Sequence, residues 1–392
     1  MTAPRSTLLV TLSGPDRPGV TAGLFAALSE FPVEVSDIEQ IVARNHLTLA
    51  VLLSLAPEHL EAVDAAITAA ASTLGFEVTM VPGAPETQVA RGQRLTVTVL
   101  GRPLRPEAVR HVASEVARFG CNIDRIRRLA DYPVTAIVLE GSGPDVVGLR
   151  RALAEGAPAL GVDISVQDGG PHRRGQLLVV MDVDSTLIQD EVIDLLARRA
   201  GTDTVVGRIT EAAMRGEIDF EESLRQRVAT LAGLPESVFD EVRAEVRLTP
   251  GARTLVRTLR GFGFKVCLVS GGFDRVVAPI AEELGIDAVR ANQLEVLDGR
   301  LTGRVLGRVV DRRGKREALE EFAAEFGIPM SRTVAIGDGA NDLDMLDAAG
   351  LGVAFNAKPA VRSAADTSVS VPYLDSVLYL LGITRDDVEA LV

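Results

Sequence analysis

From Leu177 onward, short apolar runs alternate with helical patterns, and three of the runs stop at residues able to carry chemistry. Leu177-Leu178-Val179-Val180-Met181 stops at Asp182, with Asp184 two positions on. Lys265 to Val269 leads into Ser270-Gly271-Gly272, and Thr333 to Ile336 into Gly337-Asp338-Gly339-Ala340-Asn341-Asp342. Brief, uninterrupted apolar runs read as strands buried on both faces, which requires helices on either side of a parallel sheet. The fold class expected is α/β, a Rossmann-like doubly wound parallel sheet. Such sheets bind ligands in the crevice beyond the carboxyl ends of their strands, where these polar residues fall.

The stretch before Leu177 follows a different plan. Two segments look like weak repeats of each other. Each opens with a strand (Leu8 to Leu12; Leu95 to Leu100) and continues with a helix (Val20 to Ser29; Ala108 to Phe119). An extended stretch, another strand and another helix follow in both: Val33 to Val42, Leu47 to Leu55 and Leu60 to Ala71, then Asn122 to Leu129, Thr135 to Leu139 and Val146 to Glu155. Strand, helix, strand, strand, helix, strand is the split βαβ, an α+β ferredoxin-like arrangement. Turn-rich linkers, Pro82 to Thr87 and Asp168 to Gly175, separate the segments. The expected domains are 1–84, 85–172 and 173–392.

The formal net charge of −13 argues against nucleic acid or an acidic membrane as partner, since either calls for a basic face. An anionic substrate would have to be held by a metal or by a few local cations. No run approaches the ~18 apolar residues of a membrane span, and Met1 to Arg5 has no leader pattern. Cys121 and Cys267 lie in apolar stretches and are expected as buried thiols of a cytoplasmic protein. The histidines His46, His59, His111 and His172 are scattered without zinc spacing. No Gly-x-x-x-x-Gly-Lys-Ser/Thr loop is present, which excludes a P-loop nucleotidase.

Asp182-Val183-Asp184-Ser185-Thr186-Leu187 directly after a buried strand resembles the first motif of the haloacid dehalogenase superfamily. Ser270-Gly271-Gly272, Lys315 at the start of a helical run, and the acidic glycine-rich loop through Asp338 then follow in that superfamily's order. The resemblance implies a phosphatase. Asp182 would be the nucleophile, and Asp184 the general acid and later base. Lys315 would balance charge on the phosphoryl group, with Ser270 and the Gly271 backbone around it. Mg²⁺ would be held by Asp182, the carbonyl of Asp184, and Asp338. Asn341 and Asp342 could hold Lys315 and a metal-bound water.

An insertion over about residues 200–249 reads as helices and would be a cap that sets specificity. Here the resemblance narrows to the phosphoserine phosphatase family. It implies that Glu191 receives the substrate ammonium and that Arg227 grips its carboxylate with a bidentate fork. Met214 and Phe220 would shield the site from water. The competing readings are a relative acting on another small phosphorylated amine or on phosphoproteins, and an amino-acid sensor built on a dead phosphatase fold. The latter predicts loss of Asp182, Asp184, Lys315 or Asp338, and all four are present.

Gly14-Pro15-Asp16-Arg17-Pro18-Gly19, between the first strand and helix, resembles the signature turn of the ACT family of small regulatory domains. A helix N-terminus at such a turn offers free N–H groups to a carboxylate. An amino-acid effector, most simply serine, is implied near Gly14, Asp16 and Gly19. The equivalent turn of the second segment opens at Gly101 and lacks the Asp-Arg-Pro-Gly sequence. Edge-to-edge pairing of such domains implies a homodimer.

Overall fold

A computed structural model describes residues 6–83, 92–168 and 177–391, with no description of the Met214 and Asp168 side chains. The expected linkers and domain boundaries therefore lie largely outside the described residues, as does His172. The chain divides into two compact units, Met1–Ala90 and Arg91–Val392.

The first unit is a four-stranded antiparallel sheet with two helices: β1 (Ser6–Pro15), α1 (Val20–Leu28), β2 (Glu34–Ala43), β3 (His46–Leu55), α2 (Leu60–Leu74) and β4 (Glu77–Gly83). The strand order is β2-β3-β1-β4. Alternate residues of β1 and β3, such as Val10, Leu12, Leu49 and Val51, face the helices and are fully buried, the period-2 pattern of a one-sided sheet. By contrast, every residue of the edge strand β2 is exposed.

The second unit begins with the same arrangement: β5 (Gln93–Gly101), α3 (Pro106–Arg118), β6 (Asn122–Ala130), β7 (Thr135–Gly143), α4 (Val146–Leu160) and β8 (Val162–Asp168), in the order β6-β7-β5-β8. Here, however, the sheet is buried on both faces. Val97, Val99 and Leu139 face its own helices. Leu100, Leu129, Val134, Ala136 and Val138 belong to one continuous core with Leu374, Val377, Leu378 and Leu380 of the C-terminal part. The join has polar rivets. Asp163, only 5% exposed, accepts from Ser368 Oγ (2.8 Å), Ser370 Oγ (2.9 Å) and Ser370 N–H (2.8 Å). Gln167 Nε2 donates to the Leu380 carbonyl at 2.9 Å.

The remainder is a seven-stranded sheet ordered β12-β11-β10-β9-β13-β14-β15. In chain order it runs β9 (Leu178–Met181), α5 (Val192–Ala200), then the cap helices α6 (Asp203–Met214), α7 (Phe220–Ala229) and α8 (Val238–Glu245), then α9 (Ala252–Gly261). Next come β10 (Lys265–Phe273), α10 (Asp274–Leu284), the antiparallel hairpin β11 (Ala288–Leu297) and β12 (Arg300–Leu306), and α11 (Arg312–Glu325). The chain closes with β13 (Thr333–Gly337), α12 (Leu343–Ala348), β14 (Leu351–Phe355), α13 (Pro359–Arg362), β15 (Thr367–Val369), α14 (Val377–Leu380) and α15 (Arg385–Glu389). β9 is central and buried at every residue, with parallel neighbours on both sides. Cys121 and Cys267 are free and buried. No helix of the described residues is long and apolar enough to cross a membrane.

Candidate active site

Strand register brings the functional residues to one edge. Met181 lies level with Leu268 on β10 and with Ile336 on β13, so the residues that follow them in all three strands come to the same end of the sheet. The N–H of Asp182 donates to the Ile336 carbonyl at 2.9 Å, which extends the ladder to the nucleophile candidate itself. From α11, which begins just after its N-cap Asp311, Lys315 reaches in from beneath. Its Nζ donates to Asp182 Oδ1 and to Asp342 Oδ1, each at 2.6 Å, and the side chain is 1% exposed.

Asp184, two residues on, has partners of its own. Its Oδ1 accepts from the Val192 N–H at 2.8 Å and its Oδ2 from Ser270 Oγ at 3.2 Å. Gly272 is required by this approach, since a Cβ there would lie 2.7 Å from Asp184 Oδ2. Gly337 has the same constraint, because its Cβ would lie 2.4 Å from the Asp342 carboxyl carbon. Between Asp182 and α5 the chain makes one wide turn, in which Ser185 has a φ of 59°. A non-glycine residue in that region is strained, and Ser185 Oγ there donates to Glu191 Oε1 at 2.8 Å.

Burial dominates the electrostatics. It raises the carboxyl of Asp184 to about 7, helped by the negative charge of Glu191 and opposed by the Val192 hydrogen bond. Asp338 is pushed up to about 6 by burial, then by Asp342 and Glu191. Burial, with Asp342 beside it, drives Asp182 well above the carboxylate range, against the pull of Lys315. Burial alone would lower Lys315, but Asp182 and Asp342 hold it firmly protonated. A single lysine therefore faces more carboxylates than it can neutralise.

That excess charge makes a fit test for a metal. Asp182, Asp338 and Asp342 each offer a carboxylate oxygen, all within 4.8 Å of one another. A donor set of oxygens alone, carrying surplus negative charge, suits a hard divalent cation. The cluster includes Asp342 and not the Asp184 carboxylate, which is turned toward Val192 and Ser270. The residues fit such an ion.

On the cap side, Phe220 opens α7 and its ring would lie 3.3 Å from a Cβ on Gly271. Arg227, half-buried and two turns further along the same face of α7, lies in the field of Asp194, Glu191 and Asp184, while burial lowers its guanidinium. Glu191 is the N-cap residue before α5, not a residue within a helix. Water still reaches it, yet surrounding protein raises its carboxyl. Asn341 is half-buried, its amide lying over Gly339. The side chain of Met214 is outside the description. Gly14, Asp16 and Gly19 belong to the first unit. Gly101 precedes Arg102, whose guanidinium lies 5.3 Å over the Tyr373 ring and donates to its hydroxyl at 3.1 Å. That turn is occupied in holding the C-terminal segment.

Sequence reasoning gave no role to Ser185, to Thr186, whose Oγ1 donates to Asp338 Oδ1 at 3.5 Å, or to the buried Asn292. The first two stand inside the Asp182 motif, where a hydroxyl beside two carboxylates was a signal available to be read. Asn292 had none.

Comparison with known proteins bears on all of this. A model of haloacid dehalogenase-like hydrolases matches residues 179–347, and two ACT-domain models match residues 6–81 and 95–167. A phosphoserine phosphatase of Streptomyces coelicolor is 57% identical over 98% of this chain and 94% of its own length. The chain belongs to the phosphoserine phosphatase family. Another member, from Mycobacterium tuberculosis, is 51% identical over 98% of this chain and 95% of its own. Among solved structures, a probable phosphoserine phosphatase from Vibrio cholerae is 36% identical, covering 76% of this chain and 89% of that one with a TM-score of 0.59. A substrate-bound phosphoserine phosphatase complex, 42% identical with a TM-score of 0.51, covers 53% of this chain and 99% of that one. Family members thus exist that match the catalytic part alone. Family membership also settles the fold class expected from the sequence, two ferredoxin-like ACT domains before a Rossmann-like hydrolase domain.

Proposed function

We propose that the protein hydrolyses O-phosphoserine to serine and phosphate through a phosphoaspartate on Asp182. The observation that carries this is the clustering of opposed functions around one strand end. Asp182 is 2.6 Å from Lys315, the acid candidate Asp184 is held by Val192 and Ser270, and Glu191 and Arg227 lie in each other's field and in that of Asp184. An oxygen of Asp182 attacks phosphorus while the seryl C–O–P oxygen leaves and takes the proton of Asp184. Asp184 then accepts a proton from water as that water's oxygen attacks phosphorus, breaking the bond to Asp182 and freeing phosphate. A carboxyl near 7 serves both directions, which is what the burial of Asp184 supplies.

Mg²⁺ is the ion proposed for Asp182, Asp338 and the Asp184 carbonyl, with Asp342 and Asn341 beside it. It would neutralise charge on the phosphoryl oxygens. Arg227 would read the substrate carboxylate and Glu191 its ammonium, under a lid of Met214 and Phe220, while Ser270 and Gly271 meet the phosphate. The domain boundaries proposed are 1–84, 85–172 and 173–392. The test is phosphate release from phosphoserine, phosphothreonine, phosphoethanolamine and phosphopeptides, with and without Mg²⁺. Turnover favouring phosphoserine and requiring the metal is expected, and equal rates on phosphopeptides would overturn the substrate assignment.

For regulation, the first unit has an open cavity of about 420 Å³ lined by Asp16, Arg17, Gly19, Thr21 and Gln40, at the N-terminus of α1. It suits an amino acid such as serine, with its carboxylate on the helix N–H groups and its ammonium on Asp16. The exposed β2, with Val35, Ile38, Ile41 and Val42 between 46% and 59% exposed, supports pairing with a second copy as a homodimer. A cytoplasmic setting agrees with the two free thiols.

A further inference from the structure

Two arms of the active site meet on a side chain that carries no charge. Asn292, on β11, is 1% exposed. Its Nδ2 donates to the Gly271 carbonyl at 2.8 Å, and its Oδ1 accepts from the Val310 N–H at 2.8 Å. Each contact leads to a catalytic candidate.

On the first arm, β10 and β11 pair as far as Val269 with Arg290 and resume at Phe273 with Asn292. The sheet ladder therefore does not hold Ser270-Gly271-Gly272 to β11. The Asn292 amide takes that place. Carbonyl and N–H of a trans peptide point opposite ways, so fixing the Gly271 carbonyl also aims the Gly272 N–H. That N–H donates to Ser270 Oγ at 2.8 Å, and Ser270 Oγ in turn donates to Asp184 Oδ2 at 3.2 Å. On the second arm, Val310 directly precedes Asp311, whose carboxylate caps α11 by accepting from the Gly314 N–H at 2.7 Å. The next residue is Lys315, on Asp182 and Asp342.

We propose that Asn292 is a positioning residue for phosphoryl transfer, its one amide setting the Ser270–Gly272 turn and the Lys315 helix in common register. A planar amide offers a donor and an acceptor on two separate atoms of one uncharged end, so it can bridge the Gly271 carbonyl and the Val310 N–H at once. An aspartate there keeps the bond to Val310 but turns an acceptor on the Gly271 carbonyl, and an alanine leaves both backbone groups buried without partners. The inference rests on the phosphatase reading but not on the substrate's amino-acid end, which Asn292 does not touch.

The test uses the full-length Mg²⁺-loaded enzyme with Asn292→Asp and Asn292→Ala, and Val276→Ala as a destabilised control. Val276 is fully buried on α10 and outside the site. Turnover per folded enzyme is measured on phosphoserine and on p-nitrophenyl phosphate, alongside thermal unfolding. The expected result is kcat lowered tenfold or more in both Asn292 variants on both esters, with KM within about threefold. Val276→Ala should keep kcat within about twofold despite its lower Tm. The proposal is overturned if Asn292→Asp, which keeps the side chain's size, retains kcat within twofold, or if Val276→Ala loses as much as the Asn292 variants. Turnover of p-nitrophenyl phosphate without turnover of phosphoserine would instead refute the substrate reading.

Discussion

Removing the first ACT domain and removing both are unequal perturbations. A chain starting at residue 91 keeps the whole second unit, whereas one starting at residue 175 strips the second domain's sheet from the catalytic core. The cut uncovers Leu374, Val377, Leu378, Tyr379 and Leu380, each at most 2% exposed in the intact chain. Burial of a large apolar side chain is worth about 1.5–3 kcal/mol. If the second domain supplies half of it for these five, the loss is about 4–8 kcal/mol by the same measure. Typical domains have only about 5–15 kcal/mol in all. The lost bonds from Asp163 and Gln167 add to this. Equilibrium urea unfolding followed by circular dichroism, with kcat measured in parallel, is the assay. The chain from residue 91 should unfold near the midpoint of the full catalytic unit and keep its turnover. The chain from residue 175 should unfold at clearly lower urea and bind a hydrophobic dye, although shorter family members fold without such a partner. Equal midpoints for the two would mean that the second domain rests on the core without stabilising it.

Arg227→Ala should lower kcat/KM for phosphoserine by about 1.5–3 kcal/mol, the value of a charged hydrogen-bonded pair, and leave phosphoethanolamine nearly unchanged; steady-state kinetics on both esters checks it. Lys315→Met should abolish turnover and destabilise the fold by about 3–5 kcal/mol, because buried Asp182 and Asp342 lose their cation. Urea unfolding with and without Mg²⁺ should find much of that loss restored by the metal. The pH dependence follows from Asp184, which is protonated below about 7 and ionised above it. Formation of the phosphoenzyme should therefore slow as pH rises through that value, and its hydrolysis should slow as pH falls through it. Rapid-quench measurement of the two steps separately checks the opposite signs, and a flat phosphorylation rate from pH 6 to 9 would remove Asp184 from the acid role.

The sequence made the sheet legible because its chemistry sits where apolar runs end. Met181, Leu268 and Ile336 prove to be level across three neighbouring strands, so Asp182, Ser270 and Asp338 converge for the reason expected. The tandem repeats were legible from strand and helix periodicity alone. Less accessible was anything set by distant partners. Strand β10 runs on through Ser270 to Phe273, past the Val269 end that the apolar run implied. The hairpin of β11 and β12 went unread because Arg290 and Asn292, which look like loop residues, stand where the apolar alternation of Leu294 and Val296 would continue. The double burial of the second domain's sheet showed only as extra apolar residues at Leu100, Val134 and Val138, indistinguishable locally from a one-sided strand. Asn292 stands beside a second amide, Gln293, with nothing local to single it out, and its meaning comes from Gly271 and Val310, about twenty residues away on either side.

The account's central claim is that Asp182 carries the phosphoryl group. Single-turnover reaction with phosphoserine labelled in its phosphate, quenched in acid and mapped by peptide mass spectrometry, tests it directly. The expected result is one transient acyl phosphate on the peptide containing Asp182, absent from Asp182→Asn and discharged at the rate of phosphate release. Phosphate release at full rate with no label on that peptide, or with label on another residue, would contradict it.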